Sequence, residues 1–171
     1  GSHLLDCGYS KIAYIGGAAY SSTYSERISG FKKAIEERGY PKGESLIFSG
    51  DYNLDSGYLL VQEVFEKHPD VDAVFAGNDV MALGVLRYLY ETGRVPGIDI
   101  GVIGFDNIRI TELPQIALTT IDQPIYNIGR IITKVLFEEI DNYEKGQEIQ
   151  HQKILVEPEL IRRSTTSKRS Q

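Results

Sequence analysis

The chain predicts an α/β protein, a three-layer α/β/α arrangement with a mostly parallel, open sheet. Three observations predict it. Short β-branched or aromatic runs alternate with helix-period apolar stripes in three successive units, as parallel strands with crossover helices require. Residues 100–105 (Ile-Gly-Val-Ile-Gly-Phe) are almost continuously apolar, as in a strand covered on both faces. Strand-to-helix handovers carry glycine with small polar residues, the signature of a tight crossing and a capped helix start.

At 171 residues, 42% hydrophobic and 25% charged, the chain has the size and composition of one soluble globular domain rather than a disordered or membrane protein. A net charge of −6 and a pI near 5.1 argue against nucleic acid as a direct partner of this chain. The one basic cluster, Arg162, Arg163, Lys168 and Arg169, lies in a Ser/Thr-rich tail and reads as a solvated terminus. Cys7 is the only cysteine, which excludes a disulfide framework and favours a reducing, cytoplasmic compartment. No apolar run reaches membrane-spanning length and no signal peptide opens the chain, so no membrane association is expected. Gly1-Ser2-His3 reads as a cloning remnant.

Leu4, Leu5 and Cys7 before Gly8 read as the last turn of a helix with a glycine C-cap. Residues 11–15 form the first strand and end at Gly16-Gly17. Thr23-Tyr-Ser-Glu26 fits a capping box, and Ile28, Phe31, Ala34 and Ile35 follow at helical spacing to Gly39. The second unit has residues 45–49 as strand, 50–53 as loop, and Leu60, Val61, Val64 and Phe65 as the buried stripe of a helix ending at His68-Pro69. The third has Val71, Val74 and Phe75 in its strand, Ala76-Gly77-Asn78-Asp79 at its crossing, and a helix over 80–92 stopped by Gly93. After the fourth strand and Asp106-Asn107, residues 108–115 are irregular, 118–122 are a short strand, and Gln123-Pro124 opens the longest helix. That helix aligns Ile128, Ile132, Val135, Leu136 and Ile140, and 154–156 read as a final strand.

Catalytic and metal chemistry are disfavoured. Gly16-Gly17-Ala18-Ala19 matches neither a dinucleotide fingerprint nor a phosphate loop, Ser49-Gly50 and Ser56-Gly57 make no nucleophile elbow, and His3, His68 and His151 lack ligand spacing. No cofactor is expected. What remains is a polar set at one sheet edge: Thr23 and Arg27 after the first strand, Tyr52 after the second, Asn78 after the third and Asp106 after the fourth. A guanidinium, an amide and a carboxylate suit hydrogen bonding to neighbouring hydroxyls, and a ring suits an apolar sugar or base face. Each residue has a plainer reading: Asn78 as a helix cap, Arg27 as a solvated helix arginine, Asp106 as a turn former, Tyr52 as a surface-packing ring. Their convergence on the edge where open α/β sheets bind ligands favours binding.

Lys11-Ile-Ala-Tyr-Ile-Gly-Gly17, Arg27 with Gly30-Phe31, Gly50-Asp-Tyr52 with Ser56-Gly57, Asn78-Asp-Val-Met-Ala-Leu-Gly84, Ile103-Gly-Phe-Asp106 and Leu118-Thr-Thr-Ile-Asp-Gln-Pro124 together resemble the effector domain of LacI/GalR-type transcriptional regulators, as does the ending Pro158-Glu-Leu-Ile-Arg-Arg-Ser-Thr165. Gly104-Phe-Asp-Asn-Ile-Arg109 leans toward the subgroup of catabolite control protein A and the ribose repressors. The resemblance implies a periplasmic-binding-protein-like fold with two lobes and a ligand between them. Residues 4–117 would be the C-terminal lobe, 118–150 a segment crossing to the other lobe, 151–163 a return strand and 164–171 a tail. It implies Arg27, Asn78 and Asp106 as the main effector contacts, Thr23 and Tyr52 as secondary ones, and Gln123 as a contact from the crossing segment. It places Met81, Leu83, Val85 and Leu86 at a homodimer interface, and DNA binding in a headpiece outside this chain. The effector would be a sugar or sugar phosphate, less readily a nucleobase, and the protein no enzyme. A periplasmic sugar-binding transporter component and a receiver-type signalling domain are the alternative readings.

Overall fold

The computed structural model of the protein describes residues 1–18, 20–39, 46–147 and 152–167. Ser45, the expected first residue of the second strand, and His151, Lys168 and Arg169 lie outside the described residues.

Four strands, β1 (Ile12–Gly16), β2 (Leu46–Ser49), β3 (Ala73–Ala76) and β4 (Gly101–Ile103), form a parallel sheet of order β2-β1-β3-β4. Side chains alternate across it because successive strand residues point to opposite faces. On one face Ile12, Tyr14, Ala73, Phe75 and Ile103 pack with Leu4, Ile28, Phe31 and Ile35 from α1 (Ser2–Asp6) and α2 (Ser22–Glu37). On the other, Ala13, Ile15, Val74, Ala76 and Val102 pack with Val61, Val64 and Phe65 of α3 (Leu54–Lys67) and Met81, Val85, Leu86 and Leu89 of α4 (Asp79–Glu91). Three layers result, with the sheet buried on both faces.

Helices α3 and α4 meet at unusually close range, and glycine makes this possible. A Cβ on Gly57 would stand 2.2 Å from the Met81 carbonyl oxygen, and one on Gly84 would stand 2.1 Å from that of Leu54. This contact turns one side of α4 into core: Met81, Val85 and Leu86 have 0%, 0% and 2% exposure. Within this chain these three side chains therefore belong to the lobe core. Leu83 alone of the four keeps partial exposure.

The chain divides into two compact units, Gly1–Ile121 with Leu160–Gln171, and Asp122–Glu159. The first holds the sheet just described and a 3-10 turn, Arg109–Glu112, within the stretch expected to be irregular. The second consists mainly of α5 (Ile125–Glu144), none of whose residues is buried. At the division, β5 (Thr120–Asp122) pairs with β6 (Glu159–Ile161). Here the sequence expectation fails, since 154–156 are not a strand. A strand needs a hydrogen-bonded neighbour, and among the described residues β5 meets 159–161 instead.

The expected helix starts hold at α3 and α4, where Asn53 and Asn78 accept from the Ser56 and Met81 N–H groups. The Thr23 capping box does not form. Helix α2 begins two residues earlier, Ser21 is its N-cap without a side-chain cap bond, and Thr23 sits exposed in the first turn.

Candidate functional site

The site is built at the carboxyl edge of the sheet, where β1, β2, β3 and β4 end and the chain turns away from the sheet. Arg27, on the second turn of α2, reaches across the strand ends and joins two of them. Its Nη1 donates to the Gly77 carbonyl beyond β3, and its Nη2 lies 3.3 Å from Asp106 Oδ1 beyond β4. The Arg27 and Asp106 side chains are 15% and 31% exposed, so the pair is largely shielded, with Asp106 the more open of the two. The guanidinium carbon lies 3.8 Å from the centroid of Phe105, and this cation–π stack fixes the plane of the fork.

Asn78 is spoken for on both sides of its amide. Its Oδ1 accepts from Met81 N–H at 2.8 Å and its Nδ2 donates to the Tyr52 carbonyl at 3.3 Å. Capping and site-building are therefore one arrangement, tying the loop after β2 to the crossing after β3. The Tyr52 ring lies against Gly17, where an added Cβ would come within 2.1 Å of it. Thr23 is exposed on the first turn of α2, four residues before Arg27, while Gln123 belongs to the second unit just ahead of α5.

Arg27, Asn78, Tyr52 and Asp106 are thus joined by contacts within the first unit. Three further residues complete the arrangement: Tyr14, which the sequence offers only as a strand aromatic, Asp79, which it places beside Asn78 at the crossing, and Arg163, which it puts in a solvated terminus. Tyr14 fills the space left by Gly16 and Gly77, with its hydroxyl 3.4 Å from where a Gly77 Cβ would be. Its ring packs edge-on to Phe75 and Tyr24. The buried hydroxyls of Tyr14 and Tyr52 have no hydrogen-bond partner among the described residues. Burial pushes the Tyr14 phenol well above the usual tyrosine range, with the nearby Tyr52 adding to the rise and the Arg27 charge opposing it. In the sequence Tyr14 is simply a strand aromatic, and only Gly16 at the end of its own strand and Gly77 beyond the neighbouring one hint that its ring reaches the edge.

Asp79 is fully buried. Its carboxylate accepts from Thr120 Oγ1 at 2.5 Å and from Ile108 N–H at 2.8 Å, and burial raises its pKa above the usual carboxylate value. Asp106 and Asn107 have φ of 110° and 51°, left-handed backbone that costs non-glycine residues about 1–3 kcal/mol each. Asp and Asn are the side chains that best tolerate it. Arg163 braces the turn from the C-terminal segment, donating to Asn107 Oδ1 at 2.8 Å and to the Leu118 carbonyl at 2.7 Å. The arrangement presents a fork, an amide, a carboxylate and aromatic walls, with no nucleophile–base pair among these contacts.

Comparison with known proteins agrees with this geometry. Residues 2–166 match the family described as periplasmic binding protein-like domain. The chain is 36% identical over 166 residues to the HTH-type transcriptional repressor PurR of Vibrio atlanticus (strain LGP32), covering 95% of this chain and 48% of that protein. It is 36% identical over 134 residues to catabolite control protein A of Priestia megaterium, covering 78% of this chain and 40% of the relative. The chain therefore spans about half or less of the length of these relatives. A LacI family transcriptional regulator from Enterococcus faecium, solved with bound ribose, superimposes with a TM-score of 0.83 at 29% identity, covering 99% of this chain and 61% of that one. The chain belongs to the periplasmic binding protein-like domain family, in the form that LacI/GalR-type transcriptional regulators carry as their effector-binding domain.

Proposed function

We propose that this chain is the effector-sensing part of a cytoplasmic DNA-binding regulator and that it binds a small polar molecule at Arg27, Asn78 and Asp106, without catalysing a reaction on it. The observation that carries the reading is the Arg27 fork, held by Gly77 and Asp106 and stacked on Phe105, at the sheet edge where such folds take ligands. The Arg27 charge is already balanced by Asp106, which favours a neutral polyhydroxyl compound such as a sugar over a sugar phosphate, with a nucleobase third. The ribose bound by the Enterococcus faecium relative supports a sugar as the first candidate. Tyr52 and Thr23 serve the rim of the site, and Gln123 contributes from the segment over 118–150, which crosses to a second lobe that the 4–117 lobe needs to close on its ligand.

Regulation follows if the ligand favours closed lobes over open ones, because only differential affinity moves such an equilibrium. DNA is contacted by a headpiece elsewhere in the protein, and the protein works as a homodimer. The solvent side of α4, with Leu83 and Tyr90, and the exposed Ile110 and Leu113 after Asp106 supply the dimer surface.

Isothermal calorimetry of the intact protein against ribose, ribose 5-phosphate and hypoxanthine tests the ligand reading. The expected result is binding of at least one compound, weakened tenfold or more, about 1.4 kcal/mol, by Arg27→Ala and by Asp106→Asn. Variants that bind as tightly as wild type, or no binding of any of the three, would overturn it.

A further inference from the structure

We propose that Asp79 is the positioning residue of this site, clamping residues 105–108 to the first turn of α4 so that Asn78 and Asp106 are held as one platform. The inference rests on the ligand reading above and extends it to a side chain that cannot touch ligand, since Asp79 has no exposed surface.

The clamp closes around the strained turn from both ends. The Asp79 N–H donates to the Phe105 carbonyl at 2.8 Å, and its Oδ2 accepts from the Ile108 N–H at 2.8 Å. Between those two anchors lie Asp106 and Asn107, the consecutive residues with positive φ. Such a conformation persists only where its surroundings over-determine it. Thr120 adds a third anchor, since its hydroxyl donates to Asp79 Oδ1 and accepts from the Asn107 N–H at 3.3 Å. Residue 104 must be glycine for the carboxylate to fit, because a Cβ there would stand 2.2 Å from Asp79 Oδ1.

An acidic residue in the first turn of a helix ordinarily complements the helix's own free N–H groups. Asp79 instead uses its carboxylate on Ile108 and Thr120, from different segments of the chain. Its chain neighbour Asn78 is held by the cap bond to Met81 and the bond to the Tyr52 carbonyl. Moving the Asp79 carboxylate therefore changes the distance between an amide and a carboxylate that are meant to grip the same molecule.

The test uses the intact protein as wild type, Asp79→Asn, Thr120→Val and the exposed first-turn control Asp55→Asn. Hydrogen exchange is followed amide by amide, and ribose, ribose 5-phosphate and hypoxanthine are titrated by calorimetry. In Asp79→Asn, exchange at 106–108 should accelerate about tenfold or more with β1 and β3 unchanged. Affinity for whichever probe the wild type binds should fall about tenfold. Thr120→Val should give the same pattern at smaller amplitude, and it decides the matter if Asp79→Asn fails to fold. Asp55→Asn should change neither readout. Unchanged exchange at 106–108, equal acceleration through β1 and β3, or local loosening with undiminished affinity overturns the proposal. If the wild type binds none of the probes, the ligand reading falls, and the exchange arm alone still decides whether Asp79 holds the turn.

Discussion

Arg27 Nη2 and Asp106 Oδ1 meet at 3.3 Å across 79 residues of sequence, joining the helix after β1 to the turn after β4. Neither residue is notable alone. Together, over the end of β3, they turn the edge of a parallel sheet into a charged and shaped site, and its supports can be tested separately.

Tyr14→Phe should raise stability by about 1 kcal/mol, measured by urea unfolding. The Tyr14 ring packs on Phe31 and Phe75, and phenylalanine keeps those contacts. It removes a buried hydroxyl that has no partner among the described residues and is therefore desolvated without return. A loss of more than about 1 kcal/mol would show that the hydroxyl is paired in solution.

Glycine-to-alanine changes should separate by location. Gly84→Ala must push α4 off the Leu54 carbonyl and should cost about 1–3 kcal/mol or more. Gly30→Ala, on α2 where nothing lies within 4 Å of the new Cβ, should stabilise by about 0.5–1 kcal/mol through helix propensity. Thermal melts of the two variants beside wild type would show the opposite signs.

Asp79 predicts a pH dependence of known direction. Burial raises its folded-state pKa, with the Asp106 charge adding to the rise, while the bonds from Thr120 and from the Ile108 and Phe105 backbone oppose it. The proton is thus held more tightly folded than unfolded. The stability this contributes is full below the ordinary carboxylate pKa and is lost as pH rises through the raised value. The wild-type stability minus that of Asp79→Asn should therefore decrease as pH rises above about 4, the ordinary carboxylate value, in denaturant titrations. A difference that grows with pH would reverse the assignment.

Helix α5 should make this chain self-associate. Ile132, Leu136, Phe137 and Ile140 are 60%, 53%, 65% and 44% exposed. With Ile154, Leu155 and Val156, residues of that helix line an apolar groove of about 500 Å³. Apolar surface of this kind is covered by association when nothing else covers it. Sedimentation velocity should show concentration-dependent oligomers, and Leu136→Glu with Ile140→Glu should shift the distribution toward monomer.

The local order of the chain was legible because each signal is local. The period of Ile28, Phe31 and Ile35 makes α2, Asn53 and Asn78 start α3 and α4, and the apolar run before Asp106 makes β4. Arg27, Asn78, Tyr52 and Asp106 were placed at one edge by counting strand ends, and they do meet there. One expectation failed where a partner decides. Residues 154–156 have strand composition, yet β5 pairs with 159–161. The burial of Met81, Val85 and Leu86 in the lobe core was not legible either, because it depends on the glycine contact between α3 and α4.

By itself, then, the sequence determined the alternation of strand and helix, the parallel sheet and the edge at which polar residues gather, because periodicity, caps and glycine punctuation act over a few neighbouring residues. Only the tertiary structure decided that Tyr14 reaches the site from inside the sheet and that Asp79 and Arg163 brace the turn carrying Asp106. Those roles depend on hydrogen bonds and steric fits between segments 29 and 56 residues apart, which no local pattern encodes.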